Sequence, residues 1–68
     1  MTLTVTVNGQ PREVDPGTTI AAIVASVAPA TQGVAVAVND TVVPRPDWTS
    51  TSLTEADRVE ILTAVQGG

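Results

Sequence analysis

Hydrophobic residues recur along this chain at two spacings, and each spacing predicts one kind of element. Residues 2–7 alternate strictly, with Leu3, Val5 and Val7 on one side of a strand and threonines on the other. Residues 34–38 alternate as Val-Ala-Val-Ala-Val, and residues 59–65 alternate near the end of the chain. These three runs predict half-buried β-strands.

Turn-forming residues follow two of these runs. Asn8-Gly9 is a strong hairpin signal because both residues tolerate a positive φ, and it leads to a second predicted strand at residues 12–14. Asn39-Asp40 leads in the same way to a short strand at residues 41–43. Prolines at 16, 44 and 46 end these two added strands.

One segment has helical spacing instead. Its apolar residues are Ile20, Ile23, Val24 and Val27. They fall at i, i+3, i+4 and i+7, which places them on one face of a short helix. Thr18 or Thr19 is the expected N-cap, and Pro29 and Gly33 mark the exit.

Between the short fourth strand and the last one, the chain is polar. Residues 47–54 are expected to be irregular around Trp48, which we expect to pack in the core, and Leu53 is expected to point inward. Residues 55–57 form the final predicted turn.

The order strand, strand, helix, strand, short strand, strand predicts an α+β fold. A mixed sheet of four to five strands carries one helix across one face, with the first and last strands as central neighbours. Twelve valines and eleven threonines favour a sheet. Sixty-eight residues suffice for one domain, predicted at residues 1–65, followed by a flexible tail at residues 66–68.

Composition narrows the function. The net charge is −4, with three arginines and no lysine, so binding to nucleic acid or to an acidic membrane is disfavoured and a basic partner protein is expected. The absence of histidine and cysteine removes the common nucleophile–base pairs and metal ligands, so we expect a non-enzyme without a bound cofactor. Without a membrane-length apolar run or a signal segment, a cytoplasmic monomer is expected.

The chain ends in Gly67-Gly68, after Gln66. A frayed terminus is one explanation. The functional alternative is that a side-chain-free end can extend through a narrow slot in a partner's active site and present the Gly68 carboxylate there. That carboxylate is ionised and a poor electrophile, so it needs activation, most simply as an adenylate.

Several short segments, spread over essentially the whole chain, resemble the ThiS family of sulfur carriers. In order they are Val7-Asn8-Gly9, Gly17-Thr18-Thr19-Ile20, Val36-Ala37-Val38-Asn39, Val43-Pro44-Arg45 with Trp48, Asp57-Arg58-Val59-Glu60-Ile61 and Gly67-Gly68. The Val-Pro-Arg segment followed by tryptophan favours ThiS over its relatives.

The resemblance implies a ubiquitin-like β-grasp fold and a role in thiamine biosynthesis. A ThiF-like enzyme would use ATP to adenylate Gly68, and a cysteine desulfurase or similar donor would supply the sulfur. The resulting thiocarboxylate would serve a ThiG-like thiazole synthase.

This sequence departs from the family at two places. Ala56 precedes Asp57 where a glycine is usual, which suggests a turn that needs no positive φ. Ala64-Val65 replaces a bulkier residue, which leaves details of partner contact open.

A docking face is predicted near the end of the last strand. Leu62 and Ala64 point away from the face shared by Val59 and Ile61, so they form a partner-docking patch beside Glu60 or pack against a loop. Arg45 is a further candidate, either for pairing with a partner carboxylate or as a solvated turn residue.

Other functions stay open on the sequence alone. A carrier for molybdopterin or cysteine synthesis would use Gly68 identically and differ only in its acceptor enzyme. A protein-conjugating modifier is a further option. A β-grasp binding module without tail chemistry predicts that removal of Gly67 and Gly68 leaves function intact.

Overall fold

The computed structural model describes residues 1–28 and 33–63, which form a five-stranded sheet, one α-helix and a 3₁₀ helix. In chain order these elements are β1 (Leu3–Val7), β2 (Gln10–Val14), α1 (Ile20–Val27), β3 (Val34–Val38), β4 (Thr41–Val42), the 3₁₀ helix (Arg45–Asp47) and β5 (Arg58–Thr63). The strand order is β2-β1-β5-β3-β4. The α+β architecture predicted from the sequence is therefore confirmed.

Strand β5 lies at the centre of the sheet. It runs parallel to β1, with Val7 opposite Val59, and antiparallel to β3, with Val36 opposite Ile61. The remaining pairs, β1 with β2 and β3 with β4, are antiparallel. The first and last strands are thus central neighbours, as predicted from their burial pattern.

Two tight turns connect the antiparallel pairs. Asn8 and Gly9 have φ values of 51° and 83°, and Asn39 and Asp40 have φ values of 51° and 70°. Positive φ at both central residues is the pattern of a type I′ turn, whose twist matches that of the flanking strands. Both predicted turns are confirmed.

Helix α1 begins at a threonine cap. The Thr19 hydroxyl accepts a hydrogen bond from the Ala22 backbone N–H at 3.2 Å, so Thr19 is the N-cap. Thr18 instead donates its hydroxyl to the Asp15 carbonyl at 2.7 Å. Pro29, expected to mark the helix exit, lies outside the described residues.

The core lies between α1 and the sheet. Its buried residues are Val5, Val7, Ile20, Ile23, Val24, Ala28, Val36, Trp48, Leu53, Val59 and Ile61. Trp48 is 4% exposed and its indole N–H donates to the Val43 carbonyl at 2.9 Å, which satisfies the one polar group that it buries. The inward positions predicted for Trp48 and Leu53 are confirmed.

Some element boundaries differ from the prediction. Strand β2 begins at Gln10, two residues before the predicted start. Pro11 can lie within it because β2 is an edge strand, where the missing N–H of proline removes no hydrogen bond from the ladder. Strand β4 ends at Val42, one residue earlier than predicted, and the 3₁₀ helix includes Asp47, the first residue of the segment predicted as irregular. Strand β5 begins at Arg58, and residues 64 and 65, predicted to continue it, lie outside the described residues.

The expectation that the turn at Ala56 needs no positive φ is wrong. Ala56 has φ of 70°, in the left-handed region that disfavours a Cβ. Hydrogen bonds impose this conformation: the Ala56 N–H donates to the Thr4 carbonyl at 2.8 Å, and the Asp57 N–H donates to the Thr54 carbonyl at 3.2 Å. The turn therefore keeps a geometry suited to glycine while carrying alanine.

Replacing Ala56 with glycine is expected to stabilise the protein by about 1 kcal/mol, because relief of left-handed strain exceeds the added entropy of the unfolded chain. Urea unfolding followed by Trp48 fluorescence measures the change. The reverse change Gly17→Ala is the control: φ there is 91° and no atom lies within 4 Å of an added Cβ, so strain alone should lower stability by a similar amount. If the unfolding free energy of Ala56→Gly were equal to or lower than that of wild type, the conclusion that Ala56 is strained would be wrong.

Candidate functional site

Within residues 1–28 and 33–63, α1 covers one face of the sheet and no helix covers the other, which we call the open face. Leu62 lies on the open face and is 69% exposed, and its cross-strand neighbour is Ala35. Val42 is 72% exposed and lies opposite Ala37. Because paired residues point to the same side of a sheet, these four side chains share the open face.

Together they form an apolar patch on the side of the sheet that holds β3, β4 and β5. This apolar patch consists of Ala35, Ala37, Val42 and Leu62. Glu60 is exposed, pairs with Ala37, and lies beside the patch. Leu62 and Glu60 thus lie together on one exposed face of β5, and their part in docking stays a prediction.

Three members of the apolar patch were not among the predicted docking residues. The signal for Ala35 and Ala37 is the alternation of residues 34–38, which turns both alanines away from the core. Val42 could not be assigned without the register of β4 against β3.

Arg45 is placed apart from the apolar patch. It opens the 3₁₀ helix after β4, and its guanidinium lies 5.7 Å from the centroid of the Trp48 ring, a cation–π distance. Trp48 packs on the α1 side, where its carbonyl accepts from the Ala21 N–H at 3.1 Å. Ala64, the remaining predicted docking residue, lies outside the described residues.

The tail residues Gln66, Gly67 and Gly68 also lie outside the described residues. In the sequence they come after β5, which is described to Thr63, with residues 64 and 65 in between. The central strand, which carries Leu62 and Glu60, is therefore also the element that leads to the tail.

The first residues of β5 are fixed by side chains as well as by the ladder. The Asn39 side chain accepts from the Arg58 N–H at 3.0 Å and donates to the Asp57 carboxylate at 2.9 Å. Arg58 and Asp40 form an exposed ion pair at 2.8 Å, and this hydrogen bond and the Asp40 charge raise the pKa of Arg58.

The Asp57 carboxylate closes the turn before β5. Burial alone would raise its pKa, but hydrogen bonds outweigh burial and lower the pKa below its ordinary value. The donors are the Thr54 N–H at 2.8 Å, the Asn39 amide at 2.9 Å and the Thr54 hydroxyl at 3.0 Å.

A second asparagine fixes β5 nearer its other end. The Asn8 Oδ1 accepts from the Ile61 N–H at 2.8 Å, and the Asn8 Nδ2 donates to the Ile61 carbonyl at 3.2 Å. Neither Asn8 nor Asn39 is among the residues predicted to matter beyond a turn. The one signal in the sequence is that both occupy the first central position of a two-residue turn.

The described surface also carries a groove at β2, the edge of the sheet opposite β4. An open groove of about 450 Å³ lies between β2 and α1, and Arg12, Asp15 and Ser26 are among its lining residues. Residues 1–28 and 33–63 contain no group of three or more potential metal-ligating side chains. No helix in the described ranges is long and apolar enough to cross a membrane.

One helix packed across a five-stranded mixed sheet, with the last strand inserted between the first and the third, defines a ubiquitin-like β-grasp protein. The model of the ThiS family matches residues 5–68 of this sequence. The chain therefore belongs to the ThiS family, whose members are small sulfur-carrier proteins.

A solved structure agrees with this assignment. The crystal structure of the thiamine biosynthesis protein ThiS from Geobacter metallireducens is similar, with a TM-score of 0.78 and 31% sequence identity. The alignment covers 97% of this chain and 100% of that one. No curated protein sequence matches the chain.

The depressed pKa of Asp57 predicts an acid-labile contribution to stability. A carboxylate whose pKa is lowered on folding stabilises the fold above its unfolded pKa of about 4, and this contribution is lost as pH falls through the lower folded value. Asp57→Asn is expected to reduce the unfolding free energy at pH 7 by about 1 kcal/mol, and the difference from wild type should narrow below about pH 4.

Urea unfolding between pH 7 and pH 2.5 measures this dependence. Glu13→Gln makes the same charge change on the exposed edge strand β2 and should stay within about 0.5 kcal/mol of wild type. If Asp57→Asn kept the full acid dependence of wild type, the assigned role of Asp57 would be wrong.

Proposed function

We propose that this chain carries sulfur on the carboxyl group of Gly68 for thiazole formation in thiamine biosynthesis. The observation that carries the proposal is that the family match runs to residue 68 and so includes the terminal Gly67-Gly68 pair. The chain is then a co-substrate that partner enzymes modify, and its lack of histidine and cysteine is consistent with that division of labour.

The chemistry proceeds in two steps. The Gly68 carboxylate attacks the α-phosphorus of ATP in a ThiF-like enzyme, which forms an acyl adenylate and releases pyrophosphate. A sulfur nucleophile, supplied through a cysteine desulfurase or a similar donor, then displaces AMP. With hydrosulfide as nucleophile, loss of a proton leaves a thiocarboxylate. A ThiG-like thiazole synthase is the proposed acceptor.

The tail suits this task for a steric reason. Gly67 and Gly68 have no Cβ, so they can pass through a slot that excludes larger residues and bring the carboxylate to a buried phosphate site. Gln66, which precedes the two glycines, carries a side chain and would lie at the entrance of that slot.

The apolar patch is the proposed docking surface for the activating enzyme. Two large side chains, Leu62 and Val42, are mostly exposed there, and Leu62 lies on the strand that leads to Gly68. Glu60 beside the patch and the net charge of −4 favour a partner with a basic rim. The stacked position of Arg45 over Trp48 makes it a rim contact at most.

The decisive test is intact mass measurement after the untagged chain is incubated with a ThiF-like enzyme, ATP and sulfide. The expected result is a gain equal to the exchange of one oxygen for one sulfur, mapped to Gly68. A chain lacking Gly67 and Gly68 should show no gain while keeping its thermal unfolding transition, because the described core residues lie between Val5 and Ile61.

Three outcomes would contradict the proposal in whole or in part. If the enzyme modifies another carrier protein but leaves this chain unmodified, the result would favour a β-grasp binding module without tail chemistry. Loss of folding in the shortened chain would show that the last two residues serve the fold. If sulfur were transferred to an acceptor enzyme of molybdopterin or cysteine synthesis and no thiazole were formed, the sulfur-carrier role would stand and the proposed pathway would be wrong.

Leu62→Glu is expected to raise KM for the activating enzyme at least about tenfold, because it removes an apolar contact and places a charge in the interface. Steady-state release of pyrophosphate measures KM. Ala22→Glu makes the same charge change on α1, across the core from the apolar patch, and completes a capping box with Thr19, so its KM should stay near wild type. Equal effects of the two variants would exclude the apolar patch as the docking surface.

A further inference from the structure

Asn8 lies directly after the last residue of β1 that pairs with β5. The last pair between these strands is Val7 with Val59, after which β1 turns away through Asn8-Gly9. The Asn8 backbone N–H still donates to the Val59 carbonyl at 2.9 Å. From this point on, no strand of the described residues pairs with β5 on its β1 side.

The Asn8 side chain takes the place of the missing strand. Its amide offers one acceptor and one donor, and both bind the same residue of β5: Oδ1 accepts from the Ile61 N–H and Nδ2 donates to the Ile61 carbonyl. A primary amide presents the same two groups as a peptide unit. The side chain therefore extends the ladder by one more residue of β5.

Ile61 is consequently the last described residue of β5 with a partner on the β1 side. Beyond it, the described part of β5 is paired only with β3, through Leu62 with Ala35 and Thr63 with Val34. Leu62, the largest member of the apolar patch, comes directly after the bonded residue. Asn8 thus acts next to the docking surface, on the strand that leads to the tail.

We propose that Asn8 is a positioning residue, which fixes the end of β5 so that the apolar patch and the tail present one geometry to the activating enzyme. This role rests on the proposed function, because it acts through the reaction of Gly68. A chain whose β5 end samples several positions would dock productively only in a fraction of encounters, and its apparent affinity would fall by that fraction.

The molecule contains a matched comparison for Asn8. Asn39 occupies the same position of the other two-residue turn, has the same φ of 51°, and also bonds β5 through its side-chain amide. Its target is Arg58, the first residue of β5, at the opposite end from the tail. Loss of either amide removes two hydrogen bonds, but only loss of Asn8 releases the end of β5 near Leu62.

The experiment compares Asn8→Gly with Asn39→Gly, since glycine keeps the positive φ of each turn and removes only the amide. Release of pyrophosphate by the ThiF-like enzyme gives KM and kcat for the carrier. Asn8→Gly is expected to raise KM about five- to tenfold with kcat little changed, and Asn39→Gly should leave KM near wild type.

Amide hydrogen exchange by NMR shows whether each variant acts where intended. Exchange of the Ile61 N–H should accelerate in Asn8→Gly, and exchange of the Arg58 N–H should accelerate in Asn39→Gly. Faster Ile61 exchange with unchanged KM would overturn the positioning role, and so would equal KM increases in both variants. Absence of turnover in wild type would instead overturn the proposed function, and the role with it.

Discussion

A strand inside a sheet must pair its backbone on both sides, and β5 meets this requirement with different partners along its length. Strand β3 pairs with it from Val59 to Thr63, while β1 pairs with its first two residues. The asparagine of each two-residue turn completes the pairing, at Arg58 on one side and at Ile61 on the other. Each hairpin is thereby tied to β5 through the asparagine of its turn as well as through its strand.

The two faces of β5 carry side chains of different kinds, one face in the core and the other in the proposed docking surface. Val59 and Ile61 point into the core, and Glu60 and Leu62 point to the open face. The alternation of a single strand therefore supplies both the centre of the core and the centre of the apolar patch. A partner that binds the open face contacts the side chains adjacent to the tail without disturbing the buried residues that hold the strand in place.

Much of this arrangement could be predicted from the sequence, because alternation and helical spacing are local. The strict alternation of residues 2–7 and 34–38 predicts β1 and β3, and the spacing of Ile20, Ile23 and Val24 predicts α1. The bonds from Asn8 to Ile61 join residues 53 positions apart, and no spacing rule predicts them. The φ of Ala56 was predicted wrongly because side-chain preference was outweighed by hydrogen bonds to Thr4 and Thr54.

The central place of β5 also sets the order in which the chain can fold. The hairpins β1–β2 and β3–β4 close through two-residue turns and need only local contacts, whereas β5 follows both in the chain and must insert between them. Closing these distant pairings carries a large loop entropy, so insertion of β5 is the step expected to limit the folding rate. The apolar patch is assembled in that same step, because Leu62 meets Ala35 only when β5 is in place. An activating enzyme that requires this surface would therefore select folded carriers and ignore nascent or partly unfolded ones.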